Sequence, residues 1–193
     1  MKSNRQLVRV FLVLAVVGLM VLPMAAKAAE PSAKSVYAIF AGDLPPMKPN
    51  SAFWQGERYF PEMKGPIRVP MFYYLIKTDE HNILVDSGVD AQSAAKMKIA
   101  GFSLPDVTLG KLGLKPSDID IIILTHGHWD HADGVGMFPN AKIYLQRDCY
   151  RWMVEGGPEF PFFRKYNYPS KVMSFAMLTL MWDDRLKLVD GDS

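Results

Sequence analysis

The chain has 193 residues, 49% of them hydrophobic and 22% charged, a balance that excludes wholesale disorder and fits one domain. Its formal charge of +2 carries no message about nucleic acid: residues 1–28 hold four basic residues and no acidic one, and the remainder has 18 basic against 20 acidic. No basic stripe with interleaved aromatics occurs, so no nucleic-acid partner is expected.

In chain order, Lys2, Arg5 and Arg9 lead into an apolar run from Val10 to Leu22, which Pro23 breaks. Ala26-Lys27-Ala28 then supplies small residues where a signal peptidase reads. The run is shorter than the ~20 residues a membrane span needs. The pattern predicts a signal peptide over 1–28, cleaved after Ala28, and a mature portion over 29–193. That portion would be secreted or periplasmic, with no stable membrane association after cleavage. Cys149 is the only cysteine, so no intrachain disulfide forms, and it is expected to be a small buried hydrophobe.

SVYAIFAG predicts a first strand, DLPPMKPNS an exposed loop, and WQGERYFPEMKGPIRVP an irregular stretch punctuated by Pro61, Pro66 and Pro70. VPMFYYLIKT and NILVDSG are strand-like on either side of DEHN, which predicts a hairpin with a four-residue connection. DAQSAAKMKIAG predicts a helix capped by Asp90 and ended at Gly101. VTLGKLGL suggests a further short helix and KPSD a turn. IDIIIL is a continuous apolar run of the kind shown by a strand buried on both faces. After the next loop, KIYLQ predicts a strand and RDCYRWMVEG a helix ended by Gly156-Gly157. Residues 158–182 are dense in aromatics and methionines, and RLKLVDGDS closes as a strand entering a turn. Alternating strands and helices give an α/β layered architecture.

The loop after IDIIIL is THGHWDHADG, residues 125–134, with three of the chain's four histidines. Zinc-like divalent ions take imidazole nitrogen and carboxylate oxygen at ~2.0–2.2 Å in a tetrahedral arrangement. His126 and His128 can turn to one point if the backbone bends at Gly127. Asp130 and His131, adjacent in sequence, diverge from that pair and suit a second point nearby. Gly134 lets the chain turn sharply. Two pairs, carried at the C-terminal end of a buried strand, suggest two metal ions a few ångströms apart. The alternative, a solvated polar loop, does not account for three histidines within six positions.

T-H-x-H-x-D-H followed by a glycine resembles the metal-binding signature of the metallo-β-lactamase fold superfamily, and Val85-Asp86-Ser87-Gly88 resembles its earlier strand-end motif. The resemblance implies an α/β, four-layer αββα sandwich, of which this sequence covers the N-terminal part. It implies that His126 and His128 ligate a first metal and that Asp130 and His131 ligate a second. Asp130 would also serve as a catalytic group. Asp86 would support the ligand network by accepting from the other N–H of a ligating imidazole, which fixes its tautomer. Zinc suits these donors, with iron, cobalt and manganese left open. The family also takes a third histidine, a bridging carboxylate and a last histidine from later strands. No histidine follows His131 here, and LKLVDGDS resembles the strand preceding the third one, so the resemblance implies a C-terminally truncated chain. His81, in the DEHN turn, is expected to be a solvated turn residue and not a substitute ligand.

The complete two-metal site would generate a hydroxide near neutral pH and stabilise the alkoxide that develops at an attacked carbonyl. HxHxDH preceded by VPMFYYLIKT and NILVDSG is most similar to the N-acyl-homoserine lactonase-like branch. This implies hydrolysis of a small-molecule lactone or related ester. Trp129 and the aromatic stretch 158–182 would wall an acyl pocket, although packing is the alternative for the stretch. Two other readings stay open: a β-lactamase or thioesterase of the same fold, and an inactive form with an incomplete site. The sequence leaves a homodimer open as well.

Overall fold

A computed structural model gives the structure of the protein and describes residues 34–49, 56–155 and 171–191. The predicted signal, the Gly156-Gly157 helix end and residues 158–170 of the aromatic stretch lie outside the described residues.

Six strands form one sheet whose spatial order is the chain order: β1 (Ser35–Met47), β2 (Ile67–Lys77), β3 (Asn82–Val85), β4 (Ile121–Ile123), β5 (Lys142–Gln146) and β6 (Leu186–Val189). β1, β2 and β3 pair antiparallel, and β3 through β6 pair parallel. The predicted hairpin is the β2–β3 unit, closed by the Thr78 N–H donating to the His81 carbonyl at 2.9 Å. Two expectations for the first stretch need correction. β1 does not stop at Gly42 but runs on through Pro45 and Pro46, which the proline content had marked as loop. The pairing with β2 slips between Leu44 and Met47, and a slipped site on an edge strand is where prolines cost no ladder hydrogen bond. Ile67 and Arg68, expected to be irregular, are the start of β2, ahead of the strand predicted from Val69, and Gly56–Tyr59 is a short helix, α1.

Asp90 caps α2 (Ala91–Met97) as predicted, with its carboxylate accepting from the Ser93 N–H at 2.6 Å. The helix ends earlier than Gly101. Lys98 takes a left-handed conformation, and the chain leaves so that Ala100 can exchange both backbone hydrogen bonds with Asp43 of β1. α3 (Pro105–Gly110) and a 3₁₀ turn at Pro116–Asp118 lead into β4. α4 (Trp129–Ala132), a 3₁₀ turn at Asp133–Met137, α5 (Arg147–Glu155) and α6 (Lys171–Trp182) complete the element order.

One face of the sheet carries the core. Alternation in β2 buries Met71, Tyr73 and Leu75, and Leu84, Ile122, Ile143 and Leu145 continue the same layer across the parallel strands. Ala94 of α2, Leu109 of α3, Met153 of α5 and Met177 and Leu180 of α6 belong to that one apolar cluster, so helices cover this face. The opposite face presents Val36, Phe72, Tyr74 and Ile123, which stay substantially exposed. The expectation that IDIIIL is buried on both faces is therefore corrected: Ile122 is fully buried, whereas Ile123 is 43% exposed. The run is apolar on both sides, but among the described residues nothing covers the second. The described part thus shows a helical layer and one sheet of the expected sandwich. Among the described residues no helix is long and apolar enough to cross a membrane.

Candidate metal centre

β3 and β4 are parallel neighbours, with Val85 opposite Ile123, so the segments that follow them emerge side by side at one edge of the sheet. That edge, beyond the C-terminal ends of parallel strands, is where α/β sheets place their ligands. Asp86 continues β3, donating its N–H to the Ile123 carbonyl at 2.9 Å, and then turns with φ of 63°. A left-handed backbone is costly for most residues but tolerated by Asp, and it aims the Asp86 carboxylate across at the loop after β4.

The two segments are knitted together. Ser87, 1% exposed, donates both its N–H (2.7 Å) and its hydroxyl (2.9 Å) to the His131 carbonyl, and the Gly134 N–H donates to the Gly88 carbonyl at 3.1 Å. Gly134 has no room for a side chain: a Cβ there would overlap the Ser87 carbonyl oxygen. Gly127 is also tight, though against a side chain and not backbone, since a Cβ would run into the Sδ of Met153, a buried residue of α5. Cys149, expected to be a buried hydrophobe, is only partly buried, and the Gly127 backbone hydrogen-bonds it; burial nevertheless pushes its thiol up. The loop is thus gripped from both sides by backbone contacts and by α5.

Within this frame the four predicted donors come together. His126 Nε2 lies 3.0 Å from His128 Nδ1, and His131 Nε2 lies 3.4 Å from Asp130 Oδ2. The two pairs adjoin, with the His126 and His131 ring centroids 4.1 Å apart, so they diverge less than adjacent positions suggested. The reason they separate at all is a change of backbone. His126 and His128 sit on extended chain, and His128 is the N-cap of α4, whose first turn carries Asp130 and His131. A tetrahedral ion with bonds of 2.0–2.2 Å spaces neighbouring donors by about 3.3–3.6 Å, so the Asp130–His131 pair has the separation that sharing one divalent ion requires, and the hydrogen-bonded His126–His128 pair lies within a few tenths of an ångström of it. Among the described residues no three His, Cys, Asp or Glu side chains surround a single point. The four donors therefore form two adjoining pairs of two.

The electrostatics of the first pair suit ligation, whereas the second pair is a charged one whose His131 proton a metal would have to displace. Burial, followed by the neighbouring imidazoles, holds His126 below its ordinary value, and burial does the same for His128. Both are consequently neutral near pH 7, the form a metal takes. Burial alone would lower His131, but its bonds to Asp130 and Asp86 outweigh that and lift it to about 9. Burial likewise pushes Asp130 up, and the contact with His131 more than reverses it, leaving Asp130 below the usual carboxylate range.

Asp86 takes the position expected of it. Its Oδ2 accepts from His131 Nδ1 at 2.7 Å, leaving Nε2 of that ring to face Asp130. His81 lies in the hairpin turn, exposed and 3.7 Å from Asp120, away from the donor pairs. Trp129 is half-buried and packs against the core. Three residues escaped the sequence reading: Thr125, which bridges Asp86 and His126; Met153, which fills the space at Gly127; and Trp152, whose ring meets His128 edge-on with centroids 5.8 Å apart. Thr125 stood in the quoted motif, but a Thr before a histidine carries no signal of its own.

Comparison with known proteins bears on the family and the fold. An N-acyl homoserine lactonase of Bacillus cereus is 35% identical over 98 residues, covering 44% of this chain and 39% of that protein. A solved quorum-quenching N-acyl homoserine lactone lactonase matches with a TM-score of 0.59 and 26% identity, over 84% of this chain and 59% of its own. AidC, described as a dizinc quorum-quenching lactonase, shares the fold with a TM-score of 0.58 at 20% identity, over 82% of this chain and 58% of its own. The chain thus spans about two fifths of the curated relative and about three fifths of the solved ones. The model of the Metallo-beta-lactamase superfamily matches residues 68–189, from β2 through the His-rich loop to the end of β6, and the chain belongs to that superfamily.

Proposed function

We propose that this chain carries the His-rich half of the metal site of an exported hydrolase that opens a lactone or related ester, in the manner of an N-acyl-homoserine lactonase. The observation that carries the reading is the pair of donor sets, His126 with His128 and Asp130 with His131, each at ion-sharing distance or within a few tenths of an ångström of it. Bound divalent ions, zinc in the first instance, would polarise the carbonyl and make a water nucleophilic near neutral pH.

The protein's own residues do the rest. His126 and His128 hold one position in neutral form. Asp130 and His131 would hold the other, with Asp86 orienting the His131 ring through Nδ1 so that Nε2 faces the ligand position once its proton is displaced. Asp130, kept below the usual carboxylate range beside His131, would be the anionic catalytic group. Trp129, half-exposed on the motif, is the side chain proposed to meet the apolar part of the substrate. The lactone assignment draws on the lactonases that match at 35% and 26% identity. Export rests on the basic start and apolar run before Ala28.

The test is metal analysis together with lactone opening in the full-length protein, followed by proton release. About two ions per chain and opening of an acyl homoserine lactone are expected. A protein that hydrolyses β-lactams or thioesters in a chromogenic panel, and opens no acyl lactone, overturns the substrate. One that binds no metal overturns the whole reading and favours a non-catalytic form. Mass analysis of the exported protein is expected to place its N-terminus at Ala29.

A further inference from the structure

We propose that Thr125 is a positioning residue, whose hydroxyl joins the Asp86 carboxylate to His126 and holds that imidazole with its Nε2 lone pair facing His128. The inference rests on the reading of His126 as a metal ligand. The Thr125 Oγ1 lies 2.9 Å and 3.0 Å from the two oxygens of Asp86 and 3.0 Å from His126 Nδ1. A carboxylate can only accept, so the single hydroxyl hydrogen goes to Asp86. The oxygen then has only a lone pair to offer His126, and Nδ1 must carry the ring hydrogen. That leaves Nε2 as the acceptor, 3.0 Å from His128 Nδ1, at the place an ion would occupy.

The consequence reaches both donor pairs. Asp86 orients His131 directly, through Nδ1 at 2.7 Å, and orients His126 through Thr125. One buried carboxylate therefore holds one imidazole in each pair. The Thr125 N–H, 2.9 Å from Asp86 Oδ1, anchors the backbone independently of the hydroxyl, so the side chain is free to serve this linkage. Hydrogen bonding to the far nitrogen of a ligating imidazole is the kind of contact whose loss weakens metal binding by about 10–100-fold.

Thr125→Val keeps the shape and the backbone bond but removes the hydroxyl; Thr125→Ser keeps the hydroxyl. In nitrogen-15 correlation spectra of the metal-free, full-length protein, His126 is expected to carry its hydrogen on Nδ1 in the wild type and in Thr125→Ser, and to lose that preference in Thr125→Val. Cobalt(II) affinity, from competition with a chromophoric chelator, is expected to fall about 10–100-fold in Thr125→Val and to return with Ser. A wild-type His126 protonated on Nε2 overturns the proposal, as does a Thr125→Val protein with unchanged tautomer and affinity. A wild type that binds no cobalt overturns the ligand reading, while the metal-free spectra still decide the tautomer. The wild-type spectrum needs no variant, so poor folding of Thr125→Val leaves the proposal refutable.

Discussion

Gly134→Ala tests how tightly the loop after β4 is seated on the segment after β3. An alanine Cβ would overlap the Ser87 carbonyl oxygen, lie 2.9 Å from the carbonyl carbon and 3.0 Å from Met137 Cε. Ser87 is 1% exposed, and the clashing atom is backbone, so it cannot swing aside as a side-chain end can. Overpacking of this kind costs about 1–3 kcal/mol. The displacement also stretches the Gly134–Gly88 hydrogen bond, which adds about 0.5–1.5 kcal/mol if lost. A total of about 2–4 kcal/mol lowers the Tm of a domain of this size by roughly 5–15 °C. Gly136→Ala is the control: nothing lies within 4 Å of its Cβ, and neither glycine has positive φ, so it should change stability by less than about 0.5 kcal/mol. Urea and thermal unfolding of the two variants measure the difference. Equal midpoints for both would refute the claim that backbone contact at Ser87 seats the motif.

Asp86→Asn keeps a residue that tolerates the left-handed turn but leaves a single acceptor oxygen for Thr125 and His131; metal affinity should fall about 10–100-fold in a chelator competition. In the metal-free protein the stability linked to His131 is full below its ordinary 6.5 and is lost as the pH rises through about 9. Urea midpoints across that window should show a smaller slope in Asp86→Asn, with the part due to Asp130 retained. Gly127→Ala should destabilise by about 1–2 kcal/mol through contact with Met153, and its effect in a Met153→Ala background should be smaller by at least about 0.5 kcal/mol in a double-mutant cycle. Cys149 should react with iodoacetamide at pH 8 more slowly than free cysteine, since burial raises its thiol; mass spectrometry showing equal rates would contradict that environment.

The donors were legible because chemistry and spacing both speak: imidazoles and a carboxylate in six positions have few other uses. Asp86 was legible only through the Val-Asp-Ser-Gly pattern, as its distance from the loop in sequence says nothing of the parallel pairing that joins Val85 to Ile123. Thr125 was not, because its role comes from facing two groups at once. Elsewhere, local signals yielded to tertiary ones. Prolines that mark a loop sit in β1, because the slip in its register removes the need for their N–H groups. α2 stops at Lys98 and not at Gly101, because Ala100 is claimed by Asp43. In β4, apolarity was visible but coverage was not, since Ile121 and Ile123 look the same in a sequence whether or not anything lies above them.

The sheet's spatial order, identical to its order along the chain, has a kinetic consequence. Each described strand docks on the one made just before it, so among the described strands none must insert between two already paired. The β2–β3 hairpin closes on a four-residue turn, a loop of low entropic cost, and brings Asp86 to the sheet edge early. β4 must cross the longer segment through α2 and α3 before it reaches β3. Only that second event delivers Thr125 and the histidines to the waiting carboxylate. The rate at which the donor pairs appear after refolding is then the rate of a parallel strand docking, and not that of the hairpin which supplies their common anchor.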